Sequence, residues 1–107
     1  MTWAPPREFI AIEQHWRTEI RRLADDRLGY CAPDKCLVEI EETLHPDAVG
    51  EVWCHELLHI CWNQAGLSGD EELQRRHEQV VRSLAPALWS ILRRNGLRFD
   101  AAGDPQP

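Results

Sequence analysis

Residues 54–62, CHELLHICW, place two histidines and a glutamate inside an otherwise apolar run. His55 and His59 are four residues apart, so on a helix their rings share one face and can each direct a nitrogen at the same ion. Glu56 lies one step around that helix and can reach a water on the ion. Burying these groups without partners costs several kcal/mol, so a divalent metal ion is the first candidate partner.

A third ligand must come from elsewhere in the chain. Catalytic zinc sites hold the ion with three protein ligands and leave a fourth position for water or substrate. Cys54 and Cys61 are near in sequence, but they lie about 120° around a helix from the two histidines. We therefore expect both cysteines to face the core.

The motif is predicted to lie in the second half of a helix. Pro46 suits a first helical position, and Gly66 followed by an apolar residue resembles a glycine that ends a helix. The helix is thus predicted at about residues 46–65.

A second helix is predicted to follow after a short loop. Residues 68–71, SGDE, match the S-x-x-E capping box, and apolar positions keep helical phase as far as residue 95. Pro86 is expected to kink or split this helix. Because the loop is short, the two helices should be packed neighbours of opposite direction.

The antiparallel arrangement predicts which residues face the histidine pair. The pair lies about 12 Å before the end of the first helix, and the same distance along the second helix reaches His77 and Glu78. His77 is central in the apolar stripe and Glu78 is at its edge. Catalytic ions occupy the rim of a cleft, which favours Glu78 as third ligand. His77 is the alternative third ligand, or a residue that orients a ligand.

The N-terminal part of the chain is predicted to contain a sheet. Leu28–Cys31 and Cys36–Ile40 are short β-prone stretches around a Pro-Asp turn, which indicates a hairpin. Residues 9–24 fit a helix, but they also fit two strands around a turn at residues 13–15.

Length, charge and cysteine content limit the class of protein. The 107 residues predict one domain over residues 1–107, with frayed ends at 1–8 and 100–107. The net charge of −6 argues against nucleic acid as a partner. The chain shows no export signal and no apolar run long enough for a membrane span, so we expect a cytoplasmic protein without a membrane partner, whose four cysteines are reduced.

The order of these elements resembles a known group of proteins. A small sheet, the HELLH helix, a short turn and a helix ending in LAPALWSILRRN look like the minimal zincin-type metallopeptidases of bacteriophages and prophages, distantly related to the ImmA/IrrE-like and SprT-like groups. The match covers roughly residues 28–96. It implies an α+β fold in which a small antiparallel or mixed sheet precedes two antiparallel helices, with strands over residues 9–24.

The resemblance also implies a site. The glutamate-zincin pattern assigns His55, His59 and Glu78 as zinc ligands and Glu56 as the general base, whereas a SprT-like pattern asks for a third histidine, which keeps His77 open. The implied activity is zinc-dependent hydrolysis of peptide bonds in peptide or protein substrates by a zinc-activated water, in the cytoplasm of a bacterial host.

Substrate contacts are predicted less closely. The strand over residues 37–40 is expected to align an extended peptide by edge pairing. The candidate oxyanion donors are Tyr30, His15 and His45. One alternative function is a metal-binding but non-hydrolytic phage module that acts on a host protein, which the shortness of the chain favours. Another is a small interaction protein in which HELLH is coincidental.

Overall fold

A computed structural model describes residues 3–96 as a sheet followed by two long helices. The strands are β1 (Glu8–Ala11), β2 (Gln14–Arg21), β3 (Gly29–Ala32) and β4 (Leu37–Glu41), and the helices are α1 (Pro46–Gln64) and α2 (Glu71–Arg94). Short 3-10 turns cover Pro33–Lys35 and Leu67–Gly69. The predicted α+β layout is confirmed.

The sheet is mixed, with the strand order β1-β2-β4-β3. β1 and β2 are antiparallel, β2 and β4 are parallel, and β4 and β3 are antiparallel. The first pair lies within residues 8–21, so the strand alternative for residues 9–24 is confirmed, with the turn at residues 12–13 rather than at the predicted 13–15. The predicted hairpin is also present, with each strand starting one residue later than predicted.

β4 is a central strand, and all five of its residues are buried. Val38 and Ile40 have no exposed surface and belong to the core cluster, which places their side chains beneath the helices. The prediction that residues 37–40 form a sheet edge is therefore wrong. The edge strands are β1 and β3; β3 packs along α1, whereas β1 contacts α1 through Phe9, whose ring centroid lies 5.6 Å from that of Trp53.

Indole rings fill the core between the sheet and the helices. Trp53 and Trp89 are 3% and 8% exposed, and the ring of Trp3 packs on both, with centroid distances of 5.6 and 4.7 Å. Pro6 is also fully buried. The predicted fraying at residues 1–8 is thus wrong for residues 3–8. Residues 1–2 and 100–107 lie outside the described part of the chain.

α1 ends as the sequence predicts, because Gly66 takes the left-handed conformation with φ of 76°. The start of α2 differs from the prediction. Asp70 is the N-cap, and its Oδ1 accepts the amide of Leu73 at 3.0 Å. The hydroxyl of Ser68 instead donates to Asn63 Oδ1 at 2.6 Å, since Leu67–Gly69 form a separate 3-10 turn.

α2 continues through Pro86, so the predicted split is wrong. Pro86 lies on the exposed side of the helix. The carbonyl of Arg82, which loses its helical hydrogen bond to a proline at this position, can be solvated there. Within residues 3–96, neither helix has a stretch both long and apolar enough to cross a bilayer.

Candidate metal centre

The two histidines of the motif converge on one carboxylate from the neighbouring helix. His55 Nε2 lies 3.0 Å from Glu78 Oε1, and His59 Nε2 lies 3.3 Å from Glu78 Oε2. The ligand atoms of these three residues all lie within 4.8 Å of one another. The prediction that residues 77 and 78 lie opposite the histidine pair on α2 is therefore confirmed.

The three groups fit a zinc ion by type and by spacing. Imidazole nitrogens and a carboxylate oxygen are usual zinc ligands, and two ligands of one tetrahedral zinc are roughly 3.3 Å apart. Each histidine nitrogen lies near that separation from one oxygen of Glu78, at 3.0 Å from Oε1 and 3.3 Å from Oε2, and the ligand atoms of all three residues lie within 4.8 Å of one another. In the metal-free chain, the same distances let an imidazole N–H donate to the carboxylate.

Glu56 is buried beside this cluster, with 6% of its surface exposed. Burial and then the negative charge of Glu78 raise the pKa of Glu56 to about 7, against the opposing effect of Arg27. A carboxyl group with a pKa near neutrality can both accept and release a proton at physiological pH. In the metal-free chain, Glu56 is therefore close to half ionised at neutral pH.

His59 is held as a neutral imidazole. Its burial lowers the pKa of the ring, although the carboxylate of Glu78 acts in the opposite direction. A neutral ring keeps the nitrogen lone pair that a metal ligand needs.

β3 approaches Glu56 closely because residue 29 is glycine. A Cβ atom built on Gly29 would lie 2.8 Å from Glu56 Oε2 and 2.8 Å from Val52 Cγ1. Gly29 could not be identified from the sequence, since a glycine that begins a short strand carries no sign of what packs on it.

A cavity of about 460 Å³ opens at the cluster. It is lined by β3, by both helices and by Arg27, whose guanidinium lies 4.9 Å from the centre of the Tyr30 ring. A second cavity, of about 540 Å³, adjoins the first and extends towards Arg82. The residues common to both cavities are Arg27, Gly29, His55, Glu56 and Glu78. The cluster thus lies in the middle of a continuous groove.

Only one of the three predicted oxyanion donors lines this groove. Tyr30 does so, and it is 41% exposed. His45 instead caps α1, where its Nδ1 accepts the amide of Asp47 at 3.2 Å. His15 lies at the start of β2, opposite Ile10 of β1. Arg27 also lines the groove, and it belongs to no motif by which the sequence could mark it.

The cysteines lie outside the candidate ligand set. Cys54 is buried as predicted, whereas Cys61 is exposed, so its predicted core position is wrong. Cys31 lines the cavity, but burial and the charge of Glu56 raise the pKa of its thiol to about 12. Cys31 therefore remains a protonated thiol in the metal-free chain. All four cysteines are free.

The alternative third ligand, His77, also lies at the site. Its Nε2 is 2.9 Å from His59 Nδ1, which is the nitrogen that faces away from Glu78. His77 is therefore adjacent to the cluster of three groups without belonging to it.

Comparisons with protein families, with curated proteins and with solved structures find no match to this chain. The zincin-type resemblance therefore stays a prediction, and the geometry of the site carries the functional proposal.

Proposed function

We propose that this chain is a zinc-dependent peptidase in which His55, His59 and Glu78 hold Zn²⁺ and Glu56 is the general base. The observation that carries the proposal is the convergence of both histidine Nε2 atoms on one carboxylate, at 3.0 and 3.3 Å, beside a buried glutamate. Three protein ligands with a neighbouring base are the arrangement of a catalytic rather than a structural zinc site.

Glu56 moves the protons of the reaction. A bound Zn²⁺ supplies Lewis-acid polarisation and lowers the pKa of a water molecule. Glu56 accepts a proton from the water whose oxygen attacks the scissile carbonyl carbon. As the carbon–nitrogen bond breaks, Glu56 returns that proton to the amine that leaves.

In this proposal, β3 and Tyr30 contact the substrate. β3 pairs only with β4 within the sheet, and Gly29, Tyr30 and Cys31 of this edge line the cavity. An extended peptide can pair with such an edge through its backbone, which brings a peptide bond past the cluster. Tyr30 offers a hydroxyl donor to the substrate oxygen on which negative charge develops.

The test combines metal content with turnover. Purified chain is expected to hold one zinc per molecule, measured by mass spectrometry of the metal. Glu56→Gln should keep that zinc and lose at least 100-fold of the cleavage of an unfolded protein mixture, since general-base catalysis contributes about 10²–10⁴-fold. His59→Ala should lose both metal and cleavage.

Glu42→Gln is the matched control, because it neutralises an exposed carboxylate in the turn before α1. It should change neither zinc content nor cleavage. Cleavage that survives Glu56→Gln would rule out the proposed mechanism. One zinc per chain without any cleavage would instead support the alternative function, a metal-binding module that does not hydrolyse its partner.

A further inference from the structure

The two histidines of the motif differ in what their second nitrogen contacts. His59 uses both nitrogens, because Nε2 faces Glu78 and Nδ1 lies 2.9 Å from His77 Nε2. His55 directs Nε2 at Glu78, but no described residue hydrogen-bonds its Nδ1. The pair is therefore asymmetric, and the asymmetry comes from one residue of α2.

His77 is itself held in place by α1. Its ring is stacked on the indole of Trp62, with centroids 4.4 Å apart and an angle of 5° between the planes. Trp62 is 8% exposed, and its Nε1–H donates to Gln74 Oε1 at 3.2 Å. Because Gln74 and His77 are one turn apart on α2, the indole contacts both and fixes the imidazole ring between the two helices.

We propose that His77 is a positioning residue for the metal centre, which accepts the Nδ1–H of His59 and so fixes the tautomer whose Nε2 lone pair faces the ion. This inference rests on the proposed zinc site. A single hydrogen lies between the two nitrogens, so an acceptor at His77 Nε2 requires a proton on His59 Nδ1 and leaves His59 Nε2 free to bind metal. Ligating histidines generally donate their other N–H in this manner.

The same geometry separates the two candidate third ligands. His77 Nε2 is engaged by His59, whereas both oxygens of Glu78 face the histidine pair. Glu78 is therefore the third ligand of the proposed site, and His77 is the hydrogen-bond partner of His59. Losing such a partner typically weakens metal binding by 10–100-fold.

The experiment measures zinc affinity of the full chain by competition with a chromophoric chelator. His77→Ala should weaken binding by about 10–100-fold. His77→Gln places an amide oxygen near the former Nε2, and it should recover most of that loss. Arg76→Ala, at the exposed neighbouring position, is the control and should bind zinc like the unmodified chain.

Two further measurements distinguish the proposed hydrogen-bonding role from a purely structural role of His77. Thermal unfolding of the metal-free variants should rank His77→Ala and His77→Gln together, whereas zinc affinity should separate them. At saturating zinc, His77→Ala should approach the unmodified chain in kcat/KM, while Glu56→Gln should not.

The possible failures are distinguishable. If the unmodified chain does not bind zinc, the proposed function fails together with this inference. If the unmodified chain binds zinc and His77→Ala binds it equally well, only the role of His77 is overturned. Weak binding by both His77 variants also overturns the hydrogen-bonding role, since it would trace the loss to packing against Trp62.

Discussion

The two ends of the α1–α2 pair are packed by opposite kinds of residue, apolar at one end and polar at the other. At the packed end, defined here by Gly50, Trp53 and Trp89, the glycine has no side chain, so its backbone packs closely on the ring of Trp89. The ring of Trp3 packs on both other indoles. At the site end, defined by the motif histidines, Glu56 and Glu78, the same two helices meet through polar groups. The packed end stabilises the fold through burial, whereas the site end places a carboxyl group where its charge is unfavourable.

The difference shows which end of the helix pair contains an unfavourable buried charge. Desolvation of Glu56 is the main cause of its raised pKa, and the nearby charge of Glu78 adds to it. A metal ion would relieve both effects, because it brings positive charge to the cluster.

Glu56→Gln should stabilise the metal-free chain in a pH-dependent manner. The folded carboxyl group has a pKa of about 7 against an ordinary value of 4.5. Below pH 4.5 the group is protonated in both states, so folding incurs no penalty. Between pH 4.5 and 7 the unfolded chain ionises first, and the free energy of unfolding falls as pH rises. Above that range the loss is complete, at about 3 kcal/mol.

Urea unfolding of the unmodified and Glu56→Gln chains at pH 4 and pH 8 measures this effect. The variant should gain about 3 kcal/mol at pH 8 and little at pH 4. An equal difference at both pH values would mean that the buried charge is not the cause. Excess zinc should reduce the gain at pH 8.

Two glycines allow a direct comparison of the ends. A Cβ at Gly50 would clash with the ring of Trp89, which is buried in the core, so Gly50→Ala should cost about 1–3 kcal/mol of stability. A Cβ at Gly29 would meet the movable carboxylate of Glu56 as well as Val52. Gly29→Ala should therefore cost less stability but reduce cleavage by displacing the base.

Gly69→Ala is the matched control, because no atom lies within 4 Å of the added Cβ there. It should change neither stability nor cleavage appreciably. The comparison breaks down if Gly29→Ala proves the more destabilising of the first two, since the site end would then be packed as rigidly as the aromatic core. Chemical unfolding and peptide turnover, measured on the same samples, give both quantities.

The smallest effect concerns the start of α2, whose first six residues are all exposed. With little packing to hold this turn, its end depends on the Asp70 cap. Asp70→Ala should lower stability by about 1 kcal/mol, whereas Ser68→Ala should have a smaller effect. Thermal unfolding tests the pair. A larger loss for Ser68→Ala would restore the capping box that the sequence predicts.

Much of the site's framework could be predicted from the sequence. The four-residue spacing of His55 and His59 fixes a shared face, and the rise of a helix fixes how far along α2 the chain must run to return to their level. These are local quantities set by helix geometry and a short loop. They placed Glu78 and His77 opposite the histidines without knowledge of the sheet.

The sheet was less accessible from the sequence. The apolar pattern of residues 9–24 fits two periods, and the strands form because β2 pairs with β1 and with β4. β3 pairs with β4 as the predicted hairpin, so whether β4 lies at an edge depends on whether β2 pairs on its other side, and β2 is distant from β4 in sequence. The mistaken edge assignment for residues 37–40 has this origin.

The sequence by itself determined which groups could hold a metal and the helical spacing between them, because an α-helix has nearly the same rise and rotation in every protein. Only the tertiary structure decided what surrounds those groups: the β3 edge at Gly29, the burial of Glu56, and the contact of His77 with His59 and Trp62. Burial and ring stacking arise between segments far apart in the chain, and the raised pKa of Glu56 follows from that packing.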